Sequence, residues 1–174
     1  MKIEFHLTAA SLIFVKNQCY KIMHDKLIYH FFSDDDFLRI SNKIKESEKI
    51  TSGEIRVSVR QEKSFGKRKT DIRKLAEEEF FKLNMHNTRD KTGILLYLLL
   101  SDRQFYILAD EGINSKVPQS TWDGVRDDIQ SEFKEGHYSN GILLGIEKVG
   151  KILSEHFPIK PDDTNELSNK IVIE

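Results

Sequence analysis

The feature that most constrains this chain is an apolar run from Gly93 to Leu100 (GILLYLLL), followed directly by a turn and a second run, Phe105 to Ala109. The first run has the length of a buried strand. Ser101, Asp102, Arg103 and Gln104 form the turn, and Asp110-Glu111-Gly112 stops the returning strand. A hairpin brings the chain back to where it began. Asp110 and Glu111 are therefore expected beside Thr88, Arg89 and Asp90, which precede the first run.

The segments around the hairpin read as helices and one further strand. Ser33 followed by three aspartates is a helix start, because a short polar side chain caps the free amides and acids suit the positive end of the dipole. Phe37, Ile40 and Ile44 repeat at helical spacing, which predicts a helix over 34–49. Glu54 to Arg60 alternates, with Ile55, Val57 and Val59 on one face and Arg56, Ser58 and Arg60 on the other, as in a half-exposed strand. Thr70 opens a helix carrying Ile72, Leu75, Ala76, Phe80 and Leu83. Two more helices follow. One carries Trp122, Val125, Ile129 and Phe133, the other Leu143, Ile146, Val149 and Leu153. Trp122 fits the core stripe of its helix better than a ligand platform.

The order α-β-α-β-β-α-α predicts a parallel crossover followed by an antiparallel hairpin strand. Helices with one apolar stripe each must cover that sheet. The expected fold is α/β, a small mixed sheet sandwiched by helices in three layers. If the strand at 54–60 and the strand at 93–100 are parallel, they start at the same end, and the strand at 105–109 finishes there. Glu54, Thr88, Asp90, Asp110 and Glu111 then share one surface. Gathered carboxylates and a hydroxyl are the oxygen ligands that Ca²⁺ or Mg²⁺ takes, and a cation relieves their repulsion. The plain alternative is that they are turn and cap residues.

Composition narrows the class. The chain has 174 residues, enough for one domain with its own core, and 39% hydrophobic with 32% charged content is ordinary for a globular protein. With 27 basic and 28 acidic residues there is no basic surplus for nucleic acid, and Lys67-Arg68-Lys69 is too short a cluster to change that. The single cysteine, Cys19, permits no internal disulfide and fits a cytoplasmic setting. Thr8 to Val15 is the apolar stretch nearest the start, too short to span a bilayer and without the flanks of a signal peptide. Residues 1–33 are assigned to an N-terminal extension, of which 1–22 are expected to add little to the core. Residues 34–158 form the domain and 159–174 a flexible or lightly docked tail.

Other chemistries find little support. Asp102-Arg103 could bind an anion, but tight turns favour Asp for backbone reasons. The six histidines are scattered without a metal-binding pair, and no P-loop, GxGxxG or GxSxG segment is present.

Several segments together resemble the TPM domain, a family named for a thylakoid acid phosphatase, a photosystem II repair protein and a levamisole-receptor modulator. They are Ser52-Gly53-Glu54-Ile55, Thr88 before Gly93-Ile94-Leu95-Leu96, Asp102-Arg103 and Asp110-Glu111-Gly112-Ile113. Phe133 with Tyr138 and Gly141, and the closing His156-Phe157-Pro158, complete the set. The resemblance covers about 34–158 and implies a small sheet flanked by helices. It implies either divalent-metal binding without catalysis or acid phosphatase activity, since both occur in the family. Many members carry a signal peptide and a membrane anchor, and this sequence shows neither. It is similar to the soluble bacterial subgroup, which implies a LemA-like membrane protein as partner.

Two functional expectations follow. The first is a non-catalytic interaction module that binds Ca²⁺ or Mg²⁺ and works with a membrane-associated partner. The second is a metal-assisted phosphatase acting on phosphomonoesters, with Asp90 or Glu54 as base and Arg89 on the developing charge.

Overall fold

The structure, a computed structural model, describes residues 27–174. The expectation for residues 1–22 lies outside the described residues. Ser33 caps the first helix, α1 (Asp34–Ser47), through a reciprocal box: its side chain accepts from the Asp36 amide, and the Asp36 carboxylate accepts from the Ser33 amide. A short 3₁₀ turn, Glu48–Ile50, leads to β1 (Glu54–Arg60). α2 (Ile72–Lys82) is capped by Asp71, whose carboxylate accepts from the Lys74 amide; the expected cap was Thr70, one residue earlier. The hairpin consists of β2 (Gly93–Leu99) and β3 (Gln104–Ala109). It is followed by a single turn, α3 (Glu111–Asn114), and by the long helices α4 (Gln119–Lys134) and α5 (Tyr138–His156). The chain closes on a two-residue strand, β4 (Val172–Ile173).

The sheet order is β3-β2-β1-β4. β1 and β2 are parallel, with Glu54 opposite Gly93, and β2 and β3 are antiparallel, with Ile94 opposite Ala109. The period-two alternation sorts the side chains onto two faces. Ile55, Val57, Val59, Ile94, Leu96 and Leu98 pack against α1, α4 and α5 in the larger core. Leu95, Tyr97 and Leu99 pack under α2 in a smaller one, with Leu75, Ala76 and Phe80. The result is the mixed, helix-sandwiched α/β sheet expected from the sequence.

Three features depart from the sequence reading. Ile28 and Phe32, within the segment assigned to an N-terminal extension, are buried in the larger core. Residues 159–174, read as flexible or lightly docked, run back along the sheet, and Val172–Ile173 pair in parallel with β1. The polar face of β1 is covered rather than half-exposed: Arg56 and Ser58 are buried. The Ser58 hydroxyl donates to Glu79 of α2 at 3.0 Å, and the Arg56 guanidinium donates to the Ser168 carbonyl at 2.7 Å. β2 is apolar on both faces and needs cover on both, so its neighbour β1 is covered on both as well.

Candidate functional site

The starts of β1 and β2 and the end of β3 lie at one edge of the sheet. The Glu54 amide donates to the Thr92 carbonyl at 3.0 Å, and the Asp110 amide donates to the Gly93 carbonyl at 2.9 Å. The loop before β2 is braced by two buried threonines. Thr88 Oγ1 accepts from the Thr92 amide at 3.0 Å, and Thr92 Oγ1 donates to the Ser52 carbonyl at 3.1 Å. Gly112 lies tightly against this loop: a Cβ there would stand 2.2 Å from the Asp90 carbonyl oxygen and 2.6 Å from that of Lys91. Only glycine permits that approach, and it brings α3 onto the backbone oxygens of the β2 loop.

The five expected residues lie at this edge, but four of them enter separate local networks and Glu111 is exposed. Glu54 is buried, and its two carboxylate oxygens accept from the amides of Glu166 at 2.7 Å and Leu167 at 3.2 Å. Burial pushes its carboxyl above the usual carboxylate range, against those two amides, which pull it down. Thr88 has its hydroxyl turned inward to the loop. Asp90 is exposed and pairs with Lys160 at 2.5 Å, which holds its carboxyl below the ordinary value. Arg89 reaches Asp162 at 3.0 Å and Asp163 at 3.7 Å on the tail. Asp110 caps α3, accepting from the Glu111 amide at 2.8 Å through Oδ1. Its Oδ2 is buried and has no hydrogen-bond partner. Glu111 is exposed beside it. β2 separates β1 from β3, so Glu54 and Asp110 are two strand spacings apart, roughly 10 Å.

A second charged group, not anticipated from the sequence, lies behind Glu54. Glu48 accepts from the Ile55 amide at 2.7 Å and from the Asn169 side-chain amide. Burial pushes its carboxyl up to about 8. Arg56 faces the charges of Glu48, Glu54 and Glu79, and burial lowers its own pKa. The signal for this layer was the hydrophobic β2 itself, which implies that Arg56 and Ser58 are covered. The tail carboxylates could not be placed, because nothing in their pattern marks where the tail docks.

For a hard cation, this edge fits at one point. Asp110 Oδ2 is a buried oxygen without a donor, and the next residue but one, Gly112, is packed against the carbonyls of Asp90 and Lys91, oxygens of the kind a hard cation takes. Glu54 and Asp90 already have partners, and among the described residues no three His, Cys, Asp or Glu side chains are grouped to hold a metal. No described helix is long and apolar enough to cross a membrane.

A family model for the TPM domain matches residues 28–152. No curated protein matches the chain. Among solved structures, the NMR structure of the BA42 protein from the psychrophilic bacterium Bizionia argentinensis is 38% identical, with a TM-score of 0.75 over 83% of this chain and 96% of that one. The N-terminal domain of a protein from P. gingivalis is 16% identical, with a TM-score of 0.59 over 73% of this chain and 79% of that one. That of the cg2496 protein from Corynebacterium glutamicum is 15% identical, with a TM-score of 0.54 over 70% of this chain and 74% of that one. The last two share the fold. The family match starts at Ile28, the first buried core residue described, and with the 38% identical relative it shows that this chain belongs to the TPM domain family.

Proposed function

We propose that the chain is a non-catalytic module that binds a divalent cation, Ca²⁺ or Mg²⁺, at the edge formed by the β2 loop and α3. The observation that carries this reading is the buried, partnerless Oδ2 of Asp110. A buried carboxylate oxygen without a donor is costly, and a cation removes that cost. Glu111 and water would complete an oxygen shell, and Asp90 would join by leaving Lys160. Glu54 stands apart, held by the tail, and its role is to fix the edge. The resemblance to soluble bacterial members adds a membrane-associated, LemA-like partner and a cytoplasmic setting to the proposal.

The test is thermal melting with millimolar Ca²⁺, with Mg²⁺ and with chelator. An ion bound only to the folded state adds about 2.7 kcal/mol at a hundredfold excess over its Kd. The melting temperature should rise with ion, and Asp110→Asn should abolish the rise. No rise in the unmodified chain would leave the five residues as turn and cap chemistry. Hydrolysis of a chromogenic phosphoester, dependent on ion and lost in Asp110→Asn, would replace the non-catalytic reading with a metal-assisted phosphatase.

A further inference from the structure

At the opposite end of the sheet, beyond the hairpin turn, lies a groove of about 540 Å³. This is within the size range of small-molecule sites, roughly 300–1,000 Å³. One wall is a row of aromatic rings in mutual contact. Phe105 meets Phe133 at 5.4 Å, Phe133 meets Tyr138 at 5.4 Å, and Tyr138 meets Phe31 at 4.7 Å. Each of the four is only half-buried, so the row presents ring surface to the groove.

The polar groups around it are one-sided. Arg126, Gln130 and Lys134 line it from α4, four residues apart and therefore on one helix face. Arg103 lines it from the hairpin turn and Gln104 from the start of β3. No lining residue is acidic, although the chain as a whole has 28 acidic residues against 27 basic. Arg126 is already paired with Asp123 and Asp127, but Arg103 and Lys134 make no ion pair among the described residues. The neighbouring Asp102 does not neutralise Arg103, since it pairs with Lys63 at 2.8 Å. Arg103 also sits at φ +51°, in the left-handed region where turn chemistry favours Gly or Asn. The turn thus holds Arg103 in a strained backbone conformation beside an aromatic groove.

We infer that this groove binds a small amphiphilic anion, with an aromatic or acyl body against the ring row and one carboxylate or phosphate on Arg103 and Lys134. A guanidinium matches either head group through paired N–H donors, and the ammonium adds a point charge. The inference is independent of the cation reading, which concerns the other end of the sheet.

The test is NMR titration of the full chain with 1-naphthyl phosphate, 1-naphthoate and neutral 2-naphthalenemethanol. Shifts should centre on Phe31, Arg103, Phe105, Phe133 and Tyr138. At least one anion should bind about tenfold tighter than the alcohol, and added salt should weaken the anion alone. The preferred anion identifies the head group. Lys134→Ala should weaken binding several-fold. Arg103→Gly should do the same while leaving the melting temperature unchanged or higher, because glycine relieves the positive φ. Equal binding of the alcohol, shifts elsewhere, no shifts at millimolar ligand, or full affinity in both variants would overturn the inference.

Discussion

Glu48 shows at the scale of one residue how the tail and the sheet share a half-buried carboxyl. Its carboxyl is pushed up to about 8, chiefly by burial, while the Ile55 amide and Asn169 resist that rise. A carboxyl raised in the folded state binds its proton more tightly there than in the unfolded chain. Its contribution to stability is therefore full below the ordinary carboxylate value and is lost as pH rises through about 8. The melting temperature should fall between pH 5 and 9, and Glu48→Gln should flatten that fall. An unchanged slope in the variant would assign the pH dependence to other groups. Glu54 shifts in the same direction for the same first cause, so Glu48→Gln should reduce the slope rather than remove it entirely.

At the scale of elements, α5 owes its depth in the core to small residues. A Cβ on Gly150 would meet the Ser47 Cβ of α1 at 2.7 Å, whereas one on Gly124 in α4 would meet nothing within 4 Å. Gly150→Ala should cost about 1–3 kcal/mol by forcing the helices apart. Gly124→Ala should instead stabilise by about 0.5–1 kcal/mol through helix propensity. Chemical denaturation of both variants checks the pair of signs. The tail is the other element whose contribution can be measured. The Gln61 amide donates to the Glu174 carbonyl at 2.7 Å, and the Glu174 amide donates to the Val59 carbonyl at 3.0 Å, so the tail covers the free edge of β1. Deleting residues 159–174 should lower stability by on the order of 2 kcal/mol, through lost edge bonds and the partners of Glu54 and Arg56. Hydrogen exchange at Gln61 should then accelerate more than exchange in β2. Unchanged exchange at Gln61 would mean that the tail spends little time on the sheet.

For the whole molecule, long-range order was legible where period and direction fix it. The apolar length of β2, the alternation in β1 and the helical stripes led to the mixed sheet, its parallel crossover and the edge shared by Glu54, the Thr88–Thr92 loop and Asp110. Direction says which end of the sheet a residue reaches, but not what its side chain meets there. The networks that hold Glu54 and Asp90 apart from Asp110 come from the tail, and a two-residue strand after a polar segment carries too little pattern to place. The layer of half-buried Glu48 with buried Arg56 and Glu79 was missed because alternation marks a polar face without saying whether solvent or protein covers it. The central claim is that the β2-loop and α3 edge holds a divalent cation. It is tested most directly by titrating the isotope-labelled chain with CaCl₂ and MgCl₂ and following every amide. Shifts concentrated at 88–92 and 110–116, saturating and absent in Asp110→Asn, are the predicted result. Shifts concentrated instead around 61–69 and 100–104, or none at millimolar ion, would contradict it.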